Sequence, residues 1–166
     1  MKTLLHDLGT LLARQVDQLR TLESLMRSQQ QALARKDVEA ILESISGQEA
    51  CLAGIQALED ERVRLMRRIS SVLGMGEGAI TLRELTDRLE PEVGSELRET
   101  GRAIRDTLQN IGRVNQDNRR LIQHSLDFVQ EMLAAWTGSV PTKRVYEPSG
   151  ALSPRPQGRT LIDQVT

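Results

Sequence analysis

Apolar residues recur along the first 35 residues at the spacing of an amphipathic helix. Three columns share a seven-residue spacing, and they are Leu5, Leu12, Leu19, Met26 and Leu33; Leu8, Gln15, Leu22 and Gln29; and Leu4, Leu11, Leu25 and Ala32. A strict coiled coil uses only two such columns, so three indicate a helix in a bundle of several helices. No segment alternates apolar and polar residues, so we expect no β-strands.

The same spacing predicts helices at about residues 3–35, 38–73, 82–89 and 91–137. Asp37 is a suitable N-cap for the second helix, and Thr81 with Glu84 forms a capping-box pattern before the third. Pro91 suits the first turn of the last helix, whereas the three glycines of residues 74–78 indicate a loop. We therefore expect an all-α fold, an elongated antiparallel bundle of three long helices and one short helix.

The joint between the first two helices consists of Lys36 and Asp37. A joint this short makes neighbouring helices antiparallel, although one unbroken helix is the alternative. The predicted seam of the second helix is Val38, Ile41, Ile45, Gln48, Leu52, Ile55, Glu59, Arg62, Met66, Ile69 and Leu73. That of the last helix is Leu97, Gly101, Ile104, Leu108, Ile111, Asn115, Asn118, Ile122, Ser125, Val129, Met132 and Trp136, flanked by Val114, Leu121, Phe128 and Ala135.

The chain is expected to divide into a helical bundle, residues 1–138, and a flexible C-terminal tail, residues 139–166. The tail holds four of the five prolines and few apolar residues, which is typical of segments that cannot build a core. The tail contains four basic and two acidic residues, so its side chains carry a net charge of +2. Neither part is charged enough to identify an electrostatic partner.

Composition excludes several classes of function. The net charge of −1 argues against nucleic-acid binding, and one cysteine with two distant histidines cannot build a zinc site. No glycine-rich phosphate loop and no nucleophile–base pair is present, so we expect neither an enzyme nor a cofactor. No secretory signal and no apolar run of about 20 residues is present either, which predicts a cytoplasmic protein without membrane insertion.

Two features of the sequence are candidates for binding. Asn115 and Asn118 both occupy predicted seam positions, where asparagine either fixes helix register or contacts a ligand directly. Gln15 and Gln29 are candidate partners for these asparagines. The single tyrosine, Tyr146, precedes a turn-prone segment; it either anchors a partner or folds back onto the bundle.

Residues 114–122, Val-Asn-Gln-Asp-Asn-Arg-Arg-Leu-Ile, resemble the N-x-x-N-x-x-L-L signature of the FlgN family of flagellar export chaperones. The two-helix start with an aspartate at the joint and the Leu-Glu-Asp-Glu-Arg stretch of residues 58–62 are also similar to that family. So are residues 146–150, which match a Tyr-x-x-x-Gly segment, and the apolar pair Leu161 and Ile162 near the end. Ile122 replaces the usual leucine, and the loop and short helix after residue 74 vary in the family.

The resemblance implies a cytoplasmic chaperone that binds the C-terminal helical segments of hook-associated junction proteins. Such a chaperone prevents premature assembly of these clients and delivers them to the type III export gate. The residue pattern leads us to expect a client site at Val114, Asn115, Asn118, Leu121 and Phe128, because the flanking column is apolar where the adjoining seam is polar. The resemblance implies docking of Tyr146 and Gly150 on the cytoplasmic domain of the export gate.

A structural coiled-coil or adaptor protein that acts by self-association is the alternative function. Long helices with short joints exchange readily between protomers, so the sequence leaves a monomer and a homodimer open. It also does not identify the preferred junction protein.

Overall fold

A computed structural model describes residues 1–74 and 80–137. It contains the helices α1 (Lys2–Arg35), α2 (Val38–Val72), α3 (Leu82–Thr86) and α4 (Pro91–Thr137). The described part of the chain is 92% helical and contains no strand, which confirms the predicted all-α class with three long helices and one short one.

The chain divides into two compact units, Met1–Leu121 and Ile122–Thr166. In the second unit the structure describes residues 122–137, which belong to α4. The predicted boundary at Gly138 and the predicted tail lie outside the described residues.

Helices α1 and α2 form the predicted hairpin. Lys36 takes a left-handed conformation (φ 57°, ψ 33°), which ends α1, and the Asp37 side chain caps α2 by accepting from the Ala40 N–H at 3.1 Å. Leu25 lies against Gly47, and Gln15 is hydrogen-bonded to Glu59, so the two helices run antiparallel. The alternative of one unbroken helix is therefore wrong.

The bundle has two apolar clusters. The larger joins all four helices and consists of Leu8, Leu11, Leu12, Leu58, Leu65, Met66, Ile69, Leu85 and Leu97. The smaller joins α1, α2 and α4 and consists of Leu22, Met26, Cys51 and Val114. All five α1 residues in these clusters belong to the predicted columns, so the prediction for α1 was close to the structure.

The predicted seam of α2 was wrong in the first half of one of its two columns. The buried column runs through Ser44, Cys51, Leu58 and Leu65, whereas the predicted Val38, Ile45 and Leu52 are exposed. The reason is steric, because small residues of α2 face α1: a side chain at Gly47 would lie 3.1 Å from the Leu25 side chain. A pattern that weighs residues by hydrophobicity selects the larger neighbours instead.

The seam of α4 also differs from the prediction. Val114, which was predicted to flank the seam, is buried in the smaller cluster, and Thr107 is buried two turns earlier in the helix. Asn115 and Leu108 were predicted in the seam and are exposed. One column of the predicted seam therefore lies one residue away from the buried column, which rotates the buried face by about 100° for that column.

Helix α3 begins with the predicted capping box. The Thr81 hydroxyl accepts from the Glu84 N–H at 3.2 Å, and the Glu84 carboxylate accepts from the Thr81 N–H at 2.7 Å. The helix ends at Thr86, three residues before the predicted end, and turns follow it. A proline disfavours helical geometry at the residue before it, and Pro91 has this effect on Glu90.

The start of α4 packs closely on the end of α3. A Cβ added at Gly94 would lie 2.9 Å from the Thr86 carbonyl oxygen, so only glycine fits without a shift. Arg98 also joins the two helices, because its guanidinium donates to the Thr86 carbonyl at 2.9 Å and to Asp87 Oδ1 at 3.1 Å. These contacts place α3 against the first turns of α4.

Candidate binding surfaces

Asn118 is a buried structural residue, 2% exposed. Its Nδ2 donates to the Met26 carbonyl at 2.9 Å and to Gln29 Oε1 at 3.1 Å, so the predicted pairing of Gln29 with a seam asparagine is confirmed. The Asn118 side chain therefore links α4 to α1 at one register, as a polar residue in an apolar seam does.

The other predicted client-site residues lie in different surroundings. Asn115 is exposed, and Leu121 is half-buried. Val114 is buried against Leu22, Met26 and Cys51, so its side chain is not accessible. Phe128 belongs to the second unit and is 51% exposed. The structure thus does not gather these residues on one accessible surface, and their role in client binding stays a prediction.

The α4 segment of the second unit carries a continuous apolar surface, here called the exposed stripe. It consists of Ile122, Leu126, Val129, Met132, Leu133 and Trp136, with exposed fractions from 41% to 88%. Helical spacing places these residues along one face. The predicted seam included Ile122, Val129, Met132 and Trp136 but missed Leu126 and Leu133. The sequence shows that this part of the helix has an apolar face. It does not show whether other residues of the same chain cover that face.

A groove of about 790 Å³ lies within the first unit. Its apolar lining comes from all four helices and consists of Leu8, Leu12, Leu19, Ile55, Met66, Leu82, Ile104 and Leu108. Five arginines also line it, and they are Arg62, Arg83, Arg98, Arg102 and Arg105. The sequence alone does not reveal this groove, although the spacing of Arg98, Arg102 and Arg105 places these residues on one face of the predicted last helix.

A polar cluster lies on the α1–α2 side of the groove. Arg62 donates to both oxygens of Glu59, at 2.8 and 2.6 Å, and Gln15 Nε2 donates to Glu59 Oε2 at 3.2 Å. The hydrogen bond from Arg62 holds the pKa of the Glu59 carboxyl below its usual value. Gln15, a candidate partner for the seam asparagines, is bonded instead to Glu59 on α2.

Cys51 lies in the smaller apolar cluster, and its Sγ donates to the Gln18 carbonyl at 3.2 Å. Burial raises the pKa of the Cys51 thiol, which lowers the fraction of reactive thiolate. A structural role fits these surroundings.

Within the described ranges, no group of three or more histidine, cysteine or acidic residues is placed to hold a metal ion. None of the helices in that part of the chain is both long and apolar enough to cross a membrane. Tyr146 and Gly150, the predicted residues for docking on the export gate, lie outside the described residues.

An all-α bundle that exposes an apolar helix face is typical of proteins that bind helical partners. A family model described as FlgN protein matches residues 1–154 of this chain. No curated protein and no solved structure matches it. Because the model covers most of the sequence, the chain belongs to the FlgN family, a family of flagellar export chaperones rather than enzymes.

Proposed function

We propose that this chaperone acts in the cytoplasm and binds the C-terminal helical segments of hook-associated junction proteins. Binding keeps those segments from assembling early and holds the client for delivery to the type III export gate. Membership of the FlgN family supports the export role. The exposed stripe of α4 is the single structural observation that supports a helical client.

The stripe has the chemistry that such a client needs. A C-terminal segment that is disordered alone folds as an amphipathic helix when its apolar face is buried on an apolar partner surface. Trp136 is 88% exposed at one end of the stripe and Ile122 is 41% exposed at the other. Aromatic residues dominate binding energies at interfaces, so Trp136 is the anchor we expect to contribute most. Phe128, which borders the stripe, is a second candidate anchor.

Calorimetric titration with C-terminal peptides of the junction proteins tests this proposal. The double variant Leu126→Ser/Leu133→Ser should weaken binding by about 2 kcal/mol, or roughly thirtyfold, because it makes the centre of the stripe polar. Val38→Ser/Leu42→Ser is the matched control, since these two residues are 67% and 62% exposed on α2. Equal affinity of the two variants would exclude the stripe as the client site.

Docking on the cytoplasmic domain of the export gate is proposed for Tyr146 and Gly150. The support is the similarity of residues 146–150 to the Tyr-x-x-x-Gly segment of the family, together with the family match over residues 1–154. Tyr146→Ala should lower affinity for the gate domain by roughly thirtyfold, as for a binding hot spot. It should change the free energy of unfolding by less than about 0.5 kcal/mol, as a surface substitution does. A large loss of stability would mean that Tyr146 packs on the bundle.

A further inference from the structure

We propose that the groove of the first unit binds an acidic amphipathic helix of a partner protein. This goes beyond the client-binding function, because every residue that lines the groove lies in Met1–Leu121 and none belongs to the exposed stripe. The proposal rests on the charges that surround the groove and on its apolar lining.

The charges at the groove are unbalanced. Five arginines line it, whereas Glu59 and Asp87 are the acidic residues among its lining. Glu59 is bound by Arg62, and Asp87 is bound by Arg98. Arg83, Arg102 and Arg105 remain, and none of the ion pairs among the described residues includes them. Three guanidinium groups beside an apolar surface therefore favour an occupant that supplies carboxylates.

The shape and lining of the groove favour a helix. From Arg98 to Leu108 its α4 edge is about 15 Å long, the length of roughly ten helical residues. Leu108 is 50% exposed, so the apolar lining is accessible from solvent at this edge. A helix with leucines on one face and acidic residues beside them would cover Leu108 and the half-buried Leu82 and Ile104. It would also place carboxylates near Arg102 and Arg105.

Charge also favours an acidic helix over two other occupants, the C-terminal segment of this chain and a second copy of the chain. The side chains of residues 138–166 of this chain carry a net charge of +2, so that segment does not complement the arginines. A second copy placed groove against groove would bring arginines against arginines, because a two-fold interface pairs each surface with itself. An acidic helix from another protein has neither disadvantage.

The test uses two designed helical peptides of about 18 residues, long enough to form helix in water. Both carry leucines on one face; one has glutamates beside them and the other has lysines. Fluorescence anisotropy of the labelled peptides measures affinity for the full chain, and NMR shifts of its backbone amides locate the site. Arg102→Glu/Arg105→Glu is the test variant. Arg113→Glu/Arg119→Glu, on the same helix but outside the groove lining, is the control.

We expect the glutamate peptide to bind the wild-type chain and to shift the amides of Leu82, Ile104 and Leu108. The test variant should bind it at least tenfold more weakly and should bind the lysine peptide better than the wild type does, whereas the control should stay within twofold of the wild type. Emission of Trp136 should not change, because Trp136 belongs to the exposed stripe.

Four results would overturn the proposal. They are absence of binding, equal binding of both peptides to the wild type, an equal loss in the control variant, and a change in Trp136 emission, which would place the peptide on the stripe. Since no client is used, each result leaves the client-binding proposal to its own test.

Discussion

Asn115 and Asn118 are three residues apart on α4, yet only Asn118 is buried. Asn118→Ala removes two hydrogen bonds from a buried site, so it should lower the free energy of unfolding by about 1–3 kcal/mol. Asn115→Ala should change it by less than about 0.5 kcal/mol. Urea denaturation of both variants measures the difference. Equal effects would contradict the structural role of Asn118.

Glu59 predicts a pH dependence of stability. Its pKa is lowered in the folded chain, chiefly by the hydrogen bond from Arg62, so the unfolded chain binds this proton more readily than the folded one. The stabilisation is therefore complete above the unfolded pKa of about 4.3 and is lost as the pH falls through the lower, folded value. Glu59→Gln should lower the melting temperature at pH 7. The difference in melting temperature between the variant and the wild type should become smaller as the pH falls below about 4.

Glu61 provides the control for this experiment. It pairs with Arg14 at 4.0 Å, and both side chains are more than half exposed, so solvent screens the pair. Glu61→Gln should leave the melting temperature nearly unchanged across the same pH range. If the difference in melting temperature between the wild type and Glu59→Gln stayed constant with pH, ionisation of Glu59 would not contribute to stability.

At the scale of the elements, two glycines of α4 should respond in opposite directions to the same substitution. Gly94→Ala places a Cβ 2.9 Å from the Thr86 carbonyl oxygen and should destabilise the chain by about 1–3 kcal/mol, as overpacking does. Gly112→Ala meets nothing within 4 Å and should stabilise it by about 0.5–1 kcal/mol, because alanine suits a helix better. Thermal unfolding of both variants checks the signs; a stabilised Gly94→Ala would show that α3 does not pack closely on α4.

The starts of α2 and α3 could be predicted from the sequence because their signals are local. The Asp37 cap and the Thr81–Glu84 capping box involve residues three apart, and both are present in the structure. The buried column of α2 could not be predicted in the same way. Ser44 and Cys51 are buried because α1 approaches them closely, which depends on the neighbouring helix rather than on the residues themselves.

At the largest scale, the described part of the chain combines a packed bundle with the apolar groove and the exposed stripe, both of which are accessible to partners. The sequence predicted much of the exposed stripe as a seam, since Ile122, Val129 and Trp136 have helical spacing. Hydrophobic periodicity predicts that a helix has an apolar face. It does not predict whether that face is covered by the same chain or by a partner. The groove was harder to predict, because its lining comes from all four helices.

The client site is tested most directly by Trp136, because it is the only tryptophan of the chain and lies in the stripe at 88% exposure. Its emission can be followed while a tryptophan-free C-terminal peptide of a hook-associated junction protein is added. If the client binds the stripe, Trp136 becomes buried and its emission shifts to shorter wavelength. The affinity obtained from this shift should equal the affinity measured by calorimetry. Calorimetric binding with unchanged Trp136 emission would contradict the stripe as the client site.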